Sequence, residues 1–289
     1  MKRVELKNNT WSLALVPEWG GRVAVLQAKG LDIVTPITSH VFDPVAWPKG
    51  GIYPLMPYSN RIRNSRMAHQ GVTHALPPHP AVLPHTLHGV AQTLQWSVSN
   101  QSECSITLTC DYDGEQWPWP VRFEQRFMLS ENQLDIEIAV TNLGNSSMPA
   151  GLGLHPYFHR HAGMRAELNL DRVWEIDNAY LPTGVAHSKR RSIVIGDEIS
   201  EELAVYGSEW GGELKVLYSE GQLTLRTEAP LTHFVVFAPV DAPYICLEPV
   251  SHLADAFNSP PGQWPDQGTH VLEPGESLSA SLKLSWQPH

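Results

Sequence analysis

Proline recurs about every twelve residues in this chain, 24 in 289, and that density excludes long helices. Each interior proline removes a helical hydrogen bond and crowds the preceding turn. A helical bundle is therefore ruled out, and the alternation of apolar and polar residues supplies the positive signal. Leu134, Ile136, Ile138 and Val140 alternate with Asp135, Glu137 and Ala139, the pattern of a half-buried antiparallel strand. Leu278, Ala280, Leu282, Leu284 and Trp286 repeat it, as do Ile106 and Leu108.

Residues 213–227 read as a hairpin turning at Ser219-Glu220-Gly221, and residues 60–71 as a second turning at Asn64-Ser65. The one expected helix is Asp197 to Tyr206, bounded by Gly196 and Gly207. No repeat and no Gly/Ser linker divides the chain. A single all-β domain over 1–289, a large sandwich with long loops, is the expected architecture.

Composition narrows the partners. Twenty basic against 30 acidic residues leave a net charge of -10, which disfavours a polyphosphate backbone. Three scattered cysteines, Cys104, Cys110 and Cys246, do not form a disulfide framework and fit a reducing cytoplasm. The first residues lack an apolar leader segment, and no run approaches the roughly 18 apolar residues of a membrane-spanning helix. A cytoplasmic protein with neither nucleic-acid nor membrane partners is expected.

Nucleotide-binding glycine loops, the Gly-x-Ser-x-Gly nucleophile turn and Cys-x-x-Cys are all missing. Histidines and carboxylates remain. His155 and Glu248 each precede a proline, which biases their backbones to extended conformations at strand ends. Glu248 follows the apolar run Tyr244-Ile245-Cys246-Leu247, so desolvation should raise its pKa toward that of a general base. His155 can donate a proton near its ordinary pKa.

Alternative readings concern the remaining cations, imidazoles and indoles. Zinc ligation by His155, His159 and His161 requires an extended chain beyond Phe158, and no metal is expected. Trp117 and Trp119 fit core packing better than stacking on a sugar. Arg63, Arg66 and the run Lys189-Arg190-Arg191 read as solvated, although such cations could grip a phosphate.

In order along the chain stand Glu18-Trp19-Gly20-Gly21-Arg22, Pro54-Leu55-Met56-Pro57-Tyr58-Ser59-Asn60-Arg61-Ile62 and Leu87-His88-Gly89. Gly153-Leu154-His155-Pro156-Tyr157-Phe158, Leu181-Pro182-Thr183-Gly184 and Leu247-Glu248-Pro249 follow. This ordered set, spread over nearly the whole chain, resembles the aldose 1-epimerase (galactose mutarotase-like) family. The resemblance implies an antiparallel β-supersandwich that interconverts the α and β anomers of a free monosaccharide without a cofactor, as a monomer or homodimer.

By the same resemblance, Glu248 is the general base at the C1 hydroxyl and His155 the general acid at the ring oxygen. His88, Arg61 and Asn60 position the sugar. The family's sugar-binding aspartate has no clear counterpart in Ser200 to Gly207, where Glu202 is the candidate. Two rival functions use the same fold: a sugar-phosphate (glucose-6-phosphate) 1-epimerase and a non-catalytic carbohydrate-binding module.

Overall fold

The computed structural model describes residues 2–289. Two large antiparallel sheets, of 11 and nine strands, carry most of the chain, with three two-stranded ribbons beside them. The nine-stranded sheet holds the alternating segments of the sequence. Strand Gln133–Asn142 lies between Val121–Leu129 and Ser277–Pro288, with Ile136 opposite both Phe127 and Leu282. Its inward residues are buried at every second position. The hairpin of Glu213–Tyr218 and Gly221–Thr227 forms as expected.

Five strands at the centre of the larger sheet determine where chemistry can occur. They are adjacent in the order Ile52–Leu55, Gly153–His159, Tyr244–Val250, His233–Ala238 and Leu203–Ser208. Successive side chains in a strand point to opposite faces, so each strand serves two surfaces. Ile52, Leu154, Phe158, Ile245, Leu247, Phe234, Val236 and Val205 join the apolar cluster shared with the nine-stranded sheet. Tyr53, Tyr157, Cys246, Val235 and Tyr206 belong to a separate cluster on the other face. Loops cover that second face, which is why these strands lack the polar alternation of an exposed sheet.

Two expected elements differ. Residues 197–206 form no helix: Leu203–Ser208 is a strand paired with both His233–Ala238 and Arg172–Ile176. Placing Val205 in the core and Tyr206 on the opposite face requires a period of two, and this tertiary demand outweighs local helix preference. The 60–71 hairpin is also displaced. Arg61–Ile62 pairs with Thr86–Leu87, while Arg66–His69 turns at Gln70-Gly71 to pair with Val72–Ala75.

No helix among the described residues is long and apolar enough to cross a membrane.

Candidate active site

Strand register builds the site as two neighbouring rows across the larger sheet. Gly153 pairs with Val250 and Tyr157 with Cys246, so the register between them places His155 opposite Glu248. His155 also pairs with Tyr53, Glu248 with Val235, and Val235 with Tyr206. One row thus reads Tyr53, His155, Glu248, Val235, Tyr206. The next reads Tyr157, Cys246, Phe237, Ala204. Residues directly opposite one another share a face, and these two rows, Tyr53 apart, floor a cavity of about 260 Å³.

His155 Nε2 lies 3.3 Å from Glu248 Oε1, with the residues only 6% and 3% exposed. Burial raises the Glu248 pKa to about 8, against a smaller lowering by Arg61. Burial, with Lys49 and Arg22 adding to it, holds the His155 imidazole well below its ordinary value. Both shifts favour a neutral Glu248 carboxyl beside a neutral His155 imidazole, one proton on the pair, at neutral pH. Tyr53 and Tyr157 both stack against the His155 ring, each with a centroid separation of 4.6 Å, and lie 6.1 Å from each other. They fix its plane.

The loop residues lock one another in place. Asn60 and His88 both adopt left-handed backbone, with φ of 59° and 62°. The Asn60 N–H donates to His88 Nδ1 at 3.1 Å, and the His88 N–H donates to the Asn60 carbonyl at 2.9 Å. With Nδ1 accepting, neutral His88 carries its hydrogen on Nε2. Burial, reinforced by His155 and Arg61, lowers the His88 pKa well below the usual range. Asn60 Nδ2 donates to Tyr206 Oη at 3.0 Å, and the Arg61 guanidinium lies 5.0 Å from the Tyr180 ring centroid.

Five of the six residues singled out in the sequence line this cavity: Glu248, His155, Arg61, Asn60 and His88. Glu202 does not. It is exposed and accepts a hydrogen bond from the Tyr180 hydroxyl, so it meets the cavity wall from behind. The segment expected to carry a sugar-binding carboxylate instead contributes Ala204 and Tyr206. Sequence reasoning also missed Trp47, Lys49 and Tyr180, which arrive on loops. Tyr53 carried a usable signal: like His155 and Glu248, it immediately precedes a proline.

His159 and His161 do not meet His155 around a common ion. His159 contacts Thr35, and His161 contacts the Asp32 carbonyl. The buried group with metal-ligand spacing is His155, Cys246 and Glu248, whose ligand atoms lie within 4.8 Å of one another. An ion there would occupy the acid–base pair itself. Trp117 and Trp119 are buried core residues, while Arg63 pairs with Asp177 and Asp255.

A buried imidazole–carboxylate pair on one face of a two-sheet antiparallel sandwich defines a supersandwich protein with acid–base potential. The family model described as aldose 1-epimerase matches residues 2–285, and the chain belongs to that family. It is 26% identical over 248 residues to the uncharacterized protein YphB of Escherichia coli K12, covering 81% of this chain and 83% of that protein.

Its fold matches a galactose mutarotase-like protein from Clostridium acetobutylicum with a TM-score of 0.86 at 19% identity, covering 99% and 95% of the two chains. The GalM/aldose epimerase homologue from C. elegans gives a TM-score of 0.81 at 17% identity, covering 99% of each chain.

Proposed function

We propose that the protein is an aldose 1-epimerase that interconverts α and β anomers of a monosaccharide, with Glu248 as base and His155 as acid. The observation carrying this reading is the 3.3 Å contact between the two buried groups at the cavity floor. Ring opening removes a proton from O1 and delivers one to O5, and both oxygens are bonded to C1. A base and an acid serving them must therefore be immediate neighbours.

The proton count is consistent. With a sugar inserted, the pair reacts as carboxylate and imidazolium: Glu248 accepts the O1 proton while His155 gives its proton to O5, and the C1–O5 bond breaks. The open-chain aldehyde then faces a neutral acid and a neutral imidazole, the same one-proton inventory as the empty site. Rotation about C1–C2 presents the other aldehyde face. The hydroxyl at C5 attacks C1 while His155 recovers its proton from O5 and Glu248 returns one to O1. No proton is gained or lost over the cycle.

Arg61 and His88 Nε2 supply donors for the oxygens that gain charge, and Asn60 holds both residues. Optical rotation of freshly dissolved α-galactose or α-glucose tests the reading. The protein should accelerate the approach to equilibrium, and Glu248→Gln should lower kcat by about 10² or more. A variant as fast as the parent would defeat the assignment of the base.

A further inference from the structure

Two cations line the cavity without a carboxylate partner. Neither Lys49 nor Arg61 forms an ion pair among the described residues. Lys49 Nζ lies 3.7 Å from the Trp47 ring centroid, and Arg61 packs on Tyr180. Both are held by aromatic faces that position a cation without neutralising it. Among the described residues, Glu248 is the one carboxylate in the lining, and its own burial favours the neutral form. The cavity lining therefore carries excess positive charge in a chain whose net charge is -10.

Lys49 is also placed against the needs of a neutral substrate. Burial, with Arg22 adding to it, brings the Lys49 pKa down to about 8, a sign that its charge lacks compensation. Its charge also opposes protonation of His155, the group that must become imidazolium. A neutral sugar leaves that opposition intact. An anion beside Lys49 would cancel it and raise the proton affinity of the acid as substrate binds. Arg61 differs, since it favours the Glu248 carboxylate that the reaction requires.

We propose that the preferred substrate is an aldose bearing an anionic substituent, a carboxylate or a phosphate, held by Lys49. This rests on the reading of the cavity as an aldose site and names the class of aldose. The other basic residues noticed in the sequence do not join Lys49. Arg63 is engaged by Asp177 and Asp255, and Arg66 and the 189–191 run lie outside the cavity lining.

Calorimetric binding of galactose, galacturonate and galactose 6-phosphate to the Glu248→Gln protein tests the proposal apart from turnover. At least one anionic sugar should bind tenfold or more tightly than galactose, and whichever does so identifies the anion. Added salt should reduce this preference. Lys49→Gln should weaken the anionic sugar more than galactose, and Lys49→Arg should restore part of the difference.

Galactose binding as tightly as both anionic sugars, or Lys49→Gln weakening all sugars alike, overturns the proposal. Absence of binding by every sugar overturns it together with the aldose reading. Preferential binding of an anionic sugar without accelerated anomer exchange in the parent protein would defeat the epimerase reading alone. Rapid exchange of galactose with no anionic preference would defeat only this inference.

Discussion

His155 and Glu248 stand opposite each other on adjacent strands, with their side chains 3.3 Å apart, close enough for one proton to serve both. Their reactivity belongs to the pair, since what either group can do depends on where that proton resides.

Activity should persist on the acid side of the ordinary histidine range and fall on the alkaline side. The Glu248 pKa is raised to about 8, so the pair loses its remaining proton as pH climbs past that value. His155 is shifted downward, so a second proton is taken up only well below pH 6.5. A kcat/KM profile followed by polarimetry should therefore decline above about pH 8. A flat profile from pH 7 to 10 would contradict the shared-proton picture.

Arg61→Met should move the alkaline limb upward while lowering the rate. The guanidinium favours the Glu248 carboxylate, and removing it raises the carboxyl pKa further. Loss of the donor should cut kcat/KM by roughly 100-fold to 1,000-fold, the range of a single positioned hydrogen-bonding group. An unchanged limb would place Arg61 electrostatically apart from the base.

Glu248→Gln should cost activity yet gain relative stability as the solution becomes more alkaline. The folded-state pKa is raised from 4.5 to about 8, so the folded protein binds more protons than the unfolded chain across that interval. Parent stability from this group is fully present below the unfolded value and declines as pH rises. The difference in Tm between variant and parent should grow in the variant's favour from pH 5 to pH 8. Parallel melting curves across that range would show that the carboxyl is not desolvated.

Gly89→Ala should damage both fold and site. Gly89 has φ +66°, and an added Cβ would lie 2.1 Å from the Met56 carbonyl oxygen. That oxygen already accepts from the Val90 and Ala91 amides, so the backbone has little room to yield. A loss above about 1 kcal/mol is expected by chemical denaturation, with reduced turnover because His88 immediately precedes the displaced residue. Full stability would mean the backbone here adapts freely.

Much of this organisation was legible in the sequence because regular alternation survives wherever a strand keeps one wet face, as in 133–142 and 277–288. The Tyr206 segment misled because its strand is covered on both faces and is short, so period-two and helical patterns look alike. His155 and Glu248 could be identified because prolines fixed their backbones and family-like neighbours surrounded them. Lys49 and Trp47 could not, since their loop carries no periodicity and only tertiary folding brings it over the sheet.

The prolines have one more effect. Pro54, Pro156 and Pro249 follow Tyr53, His155 and Glu248 on three adjacent strands, and none can donate an amide hydrogen bond. Ladder pairing between two of these strands is marked at Gly153–Val250 and again at Tyr157–Cys246, on either side of the reacting pair. Stacked rings hold the imidazole on one side of that interval: Tyr53 on His155, and His155 on Tyr157. The reactive centre therefore sits at a gap in the ladder where neighbouring rings rather than amide bonds orient the imidazole, and trimming either tyrosine ring would let it swing.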